Sequence, residues 1–193
     1  MQPEKYRNRK MELIPVKTTD TYYPDAERLM TEAFPPEERR PLTEQRRFTD
    51  SNPLFHPHIV TENGRFAGLF NYWTLNGFAY CEHLATCPSL RGNGTGRRIL
   101  EAALQVIRQP LVLEVEPPLT DIAARRIGFY RRCGFTLWED KAYIQPPYSG
   151  ELPPVHLLLM VNGTLDKDKD FEHICREIHT NVYGWKNGSL INL

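Results

Sequence analysis

Hydrophobic positions along the chain follow two rhythms, one of period two and one of about 3.6, and their alternation divides it into strands and helices. After a β-like run at residues 11–16, Ala26, Leu29, Met30, Ala33 and Phe34 mark one face of a helix, with Thr19 and Asp20 ahead of it as candidate caps. The next stretch, PPEERRPLTEQRRF, is rich in proline and charge and predicts an irregular elbow, then a short second helix ending near Phe48. Two β-like runs, FHPHIVTE and RFAGLFNYW, flank Asn63-Gly64, a dipeptide suited to the left-handed φ values of a tight hairpin turn.

A third run, FAYCEHLAT, leads into CPSLRGNGTG, after which Ile99, Leu100, Ala103, Leu104 and Ile107 trace an amphipathic helix stopped at Pro110. LVLEV reads as a short apolar strand. Asp121 is placed to cap a further helix running to Cys133, and Gly134 stands where a left-handed C-terminal cap belongs. FTLWEDKAYI and VHLLLM supply two more strands, joined by the proline-rich QPPYSGELPP. Phe171, Ile174, Cys175, Ile178 and Val182 describe a last amphipathic helix, expected to dock on the domain and to pack rather than carry chemistry. Hairpins and crossovers are both present in this order, so the sheet is expected to be mixed.

With 193 residues the chain can bury one sizeable core. The reading is one domain over residues 11–160, a C-terminal helical extension over 161–193 and a flexible leader over 1–10. Lysine plus arginine and aspartate plus glutamate both total 24, so no field of one sign draws in nucleic acid or an anionic membrane. No apolar run approaches the roughly 20 residues that span a bilayer, and the first ten residues lack the apolar stretch of a secretory signal. Cys81, Cys87, Cys133 and Cys175 have no CxxC spacing and fit free thiols in a reducing compartment. The expectation is a cytoplasmic protein, monomer or homodimer, with neither nucleic-acid nor membrane partners. His56 and His58 of FHPH do not have metal-ligand spacing, and no metal is expected.

Arg91, Gly92, Asn93, Gly94, Thr95 and Gly96 lie between a strand and a helix, where unpaired backbone N–H groups and the helix dipole can cradle phosphates. Glycine admits an anion close to the backbone and takes left-handed φ values without strain. Arg91, Arg97 and Arg98 add charge to the same mouth. A glycine turn alone also fits a plain strand-to-helix connection. A Walker loop would have Lys-Ser or Lys-Thr after the last glycine, where Arg97 and Arg98 stand; a dinucleotide fingerprint would follow the first strand of a βαβ unit, not the fourth strand of a largely antiparallel start.

Arg91, Gly94 and Gly96 satisfy the pattern Q/R-x-x-G-x-G/A, and Tyr130, Gly134 and Phe135 of FYRRCGF satisfy Y-x-x-x-G-F beyond the intervening strand LVLEV. With EHLATCPSLRGNGTG around the first motif, the chain resembles the GNAT acetyltransferase superfamily over about residues 11–160. The resemblance implies an α/β fold: a mixed, mostly antiparallel sheet of about seven strands flanked by helices. It also implies acetyl-CoA as co-substrate and transfer of acetyl to a primary amine of a small molecule or peptide, by direct attack in a ternary complex. It places the pantetheine arm along the backbone of Leu84, Ala85 and Thr86, and the diphosphate on Arg91, Gly92, Asn93, Gly94, Thr95, Gly96 and Arg97. Ala123 and Arg126 depart from the family pattern, where asparagine and a small residue are usual.

An alkylammonium of pKa about 10.4 must lose a proton before it attacks a thioester. Glu82 is the first candidate for that base and Glu114 the second, with Glu116 on the same side of its strand by alternation. Tyr130 can protonate the departing thiolate, or pack beside Phe129 and Phe135. His83 alternates away from Glu82 and reads as a packing residue; Cys81 and Cys87 have no adjacent base to support a covalent intermediate. Glu37 and Glu38 of the elbow, Glu116, Tyr143 and Tyr148 are candidates for an acceptor pocket that favours a cationic amine. A non-catalytic acyl-CoA sensor is the alternative, disfavoured because a mere binder has no need of Glu82, Glu114 and Tyr130 together.

Overall fold

The computed structural model describes residues 10–149 and 152–185, so the expected leader, Lys10 apart, and the end of the expected extension lie outside the described residues. The described strands are β1 (Met11–Pro15), β2 (Phe55–Glu62), β3 (Arg65–Thr74), β4 (Ala79–Thr86), β5 (Leu111–Val115), β6 (Thr136–Gln145) and β7 (Val155–Asn162). They form one sheet in the order β1-β2-β3-β4-β5-β7-β6. β4 and β5 pair in parallel and their neighbours pair antiparallel, so the sheet is mixed as the pattern of runs requires. The helices are α1 (Tyr23–Ala33), α2 (Leu42–Ser51), α3 (Thr95–Val106), α4 (Asp121–Arg132) and α5 (Phe171–Asn181).

Local chemistry explains most boundaries. Asn63 at φ 53 and Gly64 at φ 76 turn β2 into β3 with Glu62 paired to Arg65, the geometry expected of the Asn-Gly pair. Gly134 at φ 87 ends α4 while the Phe135 N–H donates to the Tyr130 carbonyl. Two expected caps move. Thr120, not Asp121, caps α4 by accepting from the Ala123 N–H, because its extended backbone aims Oγ1 back at the first turn. Asp20 instead accepts from the Lys17 N–H in the turn ahead of α1, which starts at Tyr23 without a side-chain cap.

The helices cover both faces of the sheet. Ile99, Leu100 and Ala103 of α3 and Ile127 of α4 pack with Val60, Phe70, Cys81, Leu111 and Leu113. On the other face, Leu29 and Met30 of α1 meet Leu69 and Ala85, and Ile174, Cys175 and Ile178 of α5 join Trp73, Tyr80, Val112 and Leu159. β7 runs to Asn162, and α5 packs on this shared core; burial of Ile174 and Ile178 is worth roughly 1.5–3 kcal/mol each. Among the described residues no helix is long and apolar enough to cross a membrane, and the four cysteines are free thiols.

One irregularity sets up the site. In the β3–β4 pairing Asn71 faces His83 while Tyr72 faces Cys81, so Glu82 is an extra residue, a β-bulge. The bulge shifts the alternation by one. Ala79 and Cys81 face α3 before it, whereas Ala85 faces α1 beyond it. The β4–β5 ladder stops at the same place: Ala79, Tyr80 and Cys81 pair with Leu111, Val112 and Leu113, and neither strand continues the pairing. A bulge raises local twist, and here it turns the end of β4 away from β5.

Candidate active site

The gap between the diverging strands opens into a cleft of about 530 Å³, walled by β4, β5, the elbow after α1 and the segment after α5. Glu82 and Glu114, each one residue past the last β4–β5 pair, both line it. Tyr80 and Val112, two residues earlier, face the α5 side, so alternation sends both carboxylates to the same face. Their surroundings differ.

Glu82 has a fully buried side chain and is held by four hydrogen bonds. Arg40 donates to both of its oxygens, through Nη2 to Oε1 and through Nη1 to Oε2 at 3.0 Å. The Trp73 Nε1–H donates to Oε2 at 2.9 Å and the Tyr148 hydroxyl to Oε1 at 2.8 Å. Burial pushes this carboxyl up, but the Arg40 guanidinium outweighs it and holds the group below the usual glutamate range. Arg40, 1% exposed, also donates to Gln45 Oε1 at 2.8 Å and lies over the rings of Phe48, Phe55, Trp73 and Tyr148 at 4.9–5.4 Å. In the sequence Arg40 is one charge among many in the elbow, with Glu37 and Glu44 at helical spacing as nearer partners than Glu82.

Among the described residues no cation lies against Glu114. The Tyr143 hydroxyl donates to Oε1 and the Tyr183 hydroxyl to Oε2 at 2.8 Å. Burial is the dominant influence and is only partly offset by these hydroxyls, so the carboxyl is pushed up to about 7. Two carboxylates that look equivalent by alternation therefore separate into one locked anion and one group able to gain and lose a proton near neutrality.

His83 does not alternate away from Glu82. The bulge puts both on one side, with His83 Nδ1 3.7 Å from Glu82 Oε2 and Nε2 3.0 Å from the Glu38 carbonyl. With Gln145, whose Nε2 donates to the Glu37 carbonyl at 3.3 Å, it fastens the elbow across the sheet. Glu37, Glu38 and Glu116 thereby stand at the cleft, where burial pushes the Glu38 carboxyl up and Glu116 pairs with Arg126 at 3.0 Å. Tyr148 lines the cleft too. Tyr143, 1% exposed, lies beneath it as a support for Glu114 rather than on its wall. Tyr130 faces the cleft between the rings of Phe129 and Phe135, and burial pushes its phenol well above the ordinary value.

At the outer end of β4, Leu84, Ala85 and Thr86 line the cleft without a β5 partner. Beyond them Gly92 at φ 78 and Gly94 at φ 70 fold the loop into the start of α3. The N–H groups of residues 92–97 donate to no acceptor among the described residues, which leaves a row of open donors at a helix N-terminus. A Cβ at position 96 would stand 3.4 Å from Thr86 Oγ1, so α3 starts close against the end of β4. Arg98 braces the loop from behind through the Asn93 carbonyl at 2.9 Å and Glu62 at 2.7 Å, and Arg97 pairs along α3 with Glu101. Arg91 is the loop cation that lines the cleft.

The chain has known counterparts. Residues 20–135 match the model of the acetyltransferase (GNAT) family. A protein from Bacteroides thetaiotaomicron assigned to that family is 44% identical and superposes with a TM-score of 0.88 over 91% of this chain and 99% of its own. A GNAT family acetyltransferase from Elizabethkingia anophelis, solved with acetyl-CoA bound, shares the fold at 12% identity, with a TM-score of 0.55 over 80% of this chain and 98% of its own. The ribosomal-protein-S18-alanine N-acetyltransferase from Escherichia coli does so at 19% identity, with a TM-score of 0.51 over 82% and 98%. A comparison with curated proteins finds no match.

Proposed function

Because the chain belongs to the acetyltransferase (GNAT) family, we propose that it moves the acetyl group of acetyl-CoA to a primary amine of a small molecule or peptide by direct attack within a ternary complex. The observation that carries this reading is the fork between β4 and β5, with Glu114 at its apex and, at its outer end, loop amides that have no acceptor among the described residues. Those amides and Arg91 suit a diphosphate, and the unpaired edge at Leu84, Ala85 and Thr86 suits the amide-bearing pantetheine arm. The bound acetyl-CoA of the Elizabethkingia protein, which has the same fold, supports that choice of donor.

Glu114 is the base in this proposal and Glu82 is not. The lone pairs of Glu82 are committed to Arg40, Trp73 and Tyr148, and its held-down pKa makes it a poor proton acceptor. Glu114 takes the ammonium proton, the freed nitrogen lone pair attacks the thioester carbonyl, and backbone N–H groups along the fork receive the developing oxyanion. As the new C–N bond forms and the C–S bond breaks, the nitrogen gives up its second proton to solvent and Tyr130 supplies a proton to the leaving thiolate; a phenol pushed up by burial is still protonated at neutral pH, and it regains its proton from solvent. Glu37, Glu38 and Glu116 at the mouth favour an acceptor with positive charge; Arg126 there is paired with Glu116, and Arg91 lies at the loop end.

Calorimetric titration with acetyl-CoA, followed by thiol release with a panel of 1,4-diaminobutane, spermidine, lysine and peptides with free N-termini, tests the proposal. Micromolar-range uptake of acetyl-CoA and turnover with at least one cationic amine are expected, with a several-fold higher KM in Glu37→Gln/Glu38→Gln. No uptake of acetyl-CoA would overturn it.

A further inference from the structure

The apex of the cleft is completed by chain beyond the matched family segment, which ends at residue 135. Ile174, Cys175 and Ile178 anchor α5 with no exposed surface, Val182 is 3% exposed, and the chain then turns at Gly184, φ 67, with the Trp185 N–H donating to the His179 carbonyl. Tyr183, between the buried valine and the turn, is carried into the cleft. Its hydroxyl donates to Glu114 Oε2 at 2.8 Å and lies 3.2 Å from the Tyr80 hydroxyl. Its ring centre is 4.8 Å from that of Tyr148, whose own hydroxyl donates to Glu82 at 2.8 Å.

A carboxylate oxygen has two lone pairs, so one donor on each oxygen fixes the plane of Glu114 and leaves capacity for a further proton. Tyr143 supplies the donor on the buried side and Tyr183 the donor on the cleft side. We propose that Tyr183 is a positioning residue of the active site, holding the Glu114 carboxylate toward the acceptor and, through the tilted ring of its neighbour Tyr148, joining it to the Glu82–Arg40 pair. The helix α5 is then the means by which this hydroxyl is delivered. The proposal rests on Glu114 as the base of the reaction.

The test uses the full chain labelled with 13C at glutamate Cδ, with the Glu114 signal identified by its loss in Glu114→Gln. In Tyr183→Phe the ionised carboxylate loses the Tyr183 donor, keeping Tyr143 and the nearby Tyr80 hydroxyl, and its titration moves upward by roughly one pH unit. Tyr148→Phe, which removes a donor from Glu82 and leaves the Tyr183–Glu114 contact in place, moves it by less than half as much. An unmoved titration in Tyr183→Phe, or an equal shift in Tyr148→Phe, would overturn the proposal. Should Tyr183→Phe fail to fold, the unsubstituted chain carrying 3-fluorotyrosine decides: a 19F signal that follows the Glu114 titration and is absent from Tyr143→Phe and Tyr148→Phe difference spectra supports it, and no such signal refutes it. A Tyr183-dependent titration combined with unchanged acetyl transfer in Glu114→Gln would retain the contact and discard the base.

Discussion

Replacing Arg40 by methionine should unfold this protein more readily than any single surface change, and the structure sets the size of the effect. The Arg40 and Glu82 side chains are 1% and 0% exposed, so methionine fills the space of the arginine stem but leaves a buried carboxylate without its cation. Two of the four hydrogen bonds on that carboxylate go, and only Trp73 and Tyr148 remain. Breaking one side of such a pair costs about 3–5 kcal/mol. For a domain of this size that corresponds to a fall in Tm of roughly 6–20 °C. Without the guanidinium, burial carries the Glu82 carboxyl above its unfolded value. The unfolded chain then binds fewer protons than the folded one between those two values, so the deficit grows as pH rises through that window and is smallest in acid. Thermal melts of Arg40→Met at pH 5 and pH 8 read the sign. Adding Glu82→Gln removes the orphaned charge and should restore most of the loss, since a buried pair replaced on both sides is often close to neutral. A double variant that melts no higher than Arg40→Met, or an Arg40→Met melt within about 2 °C of wild type, would refute the reasoning.

Glu114→Gln should lower acetyl transfer by roughly 10²–10⁴-fold while leaving the Kd for acetyl-CoA unchanged, and the wild-type kcat/KM should rise with pH through about 7 as the carboxyl sheds its proton. Because that carboxyl is raised above its unfolded value, wild-type stability falls between the unfolded glutamate range and about 7; Glu114→Gln lacks this cost, and its Tm at pH 8 should exceed that of wild type. Gly68→Ala would set a Cβ 2.3 Å from the Ala85 carbonyl oxygen and force β3 from β4, a loss of about 1–3 kcal/mol or more in urea unfolding. At Gly64, φ 76, the space is open and alanine should cost only the left-handed backbone penalty of about 1–2 kcal/mol.

Short-range patterns made the scaffold legible. The runs at β2 and β5 were bounded to the residue because proline, glycine and charge punctuate both ends, and the Asn63-Gly64 turn follows from backbone φ alone. The phosphate-suited loop was equally plain, since its glycines and its place between strand and helix are local facts. The roles of the two carboxylates were not. Alternation treats Glu82 and Glu114 alike, and the difference lies in partners that are remote along the chain: Arg40, 42 residues before Glu82, and Tyr183, 69 residues after Glu114. The bulge at Glu82 hid a further step, because one unpaired residue reverses every later side chain on β4 and so brings His83 onto the side from which it appeared excluded. Periodicity marked the last helix correctly as a packing element but had no means to weigh the residue after it, since Tyr183 lies past the apolar face that defines α5. A site of this kind is assembled by the fold's long-range contacts. The chemistry of Glu114 is set less by its own strand than by burial without a cation among the described residues, partly offset by a ring of hydroxyls from β4, β6 and the end of α5.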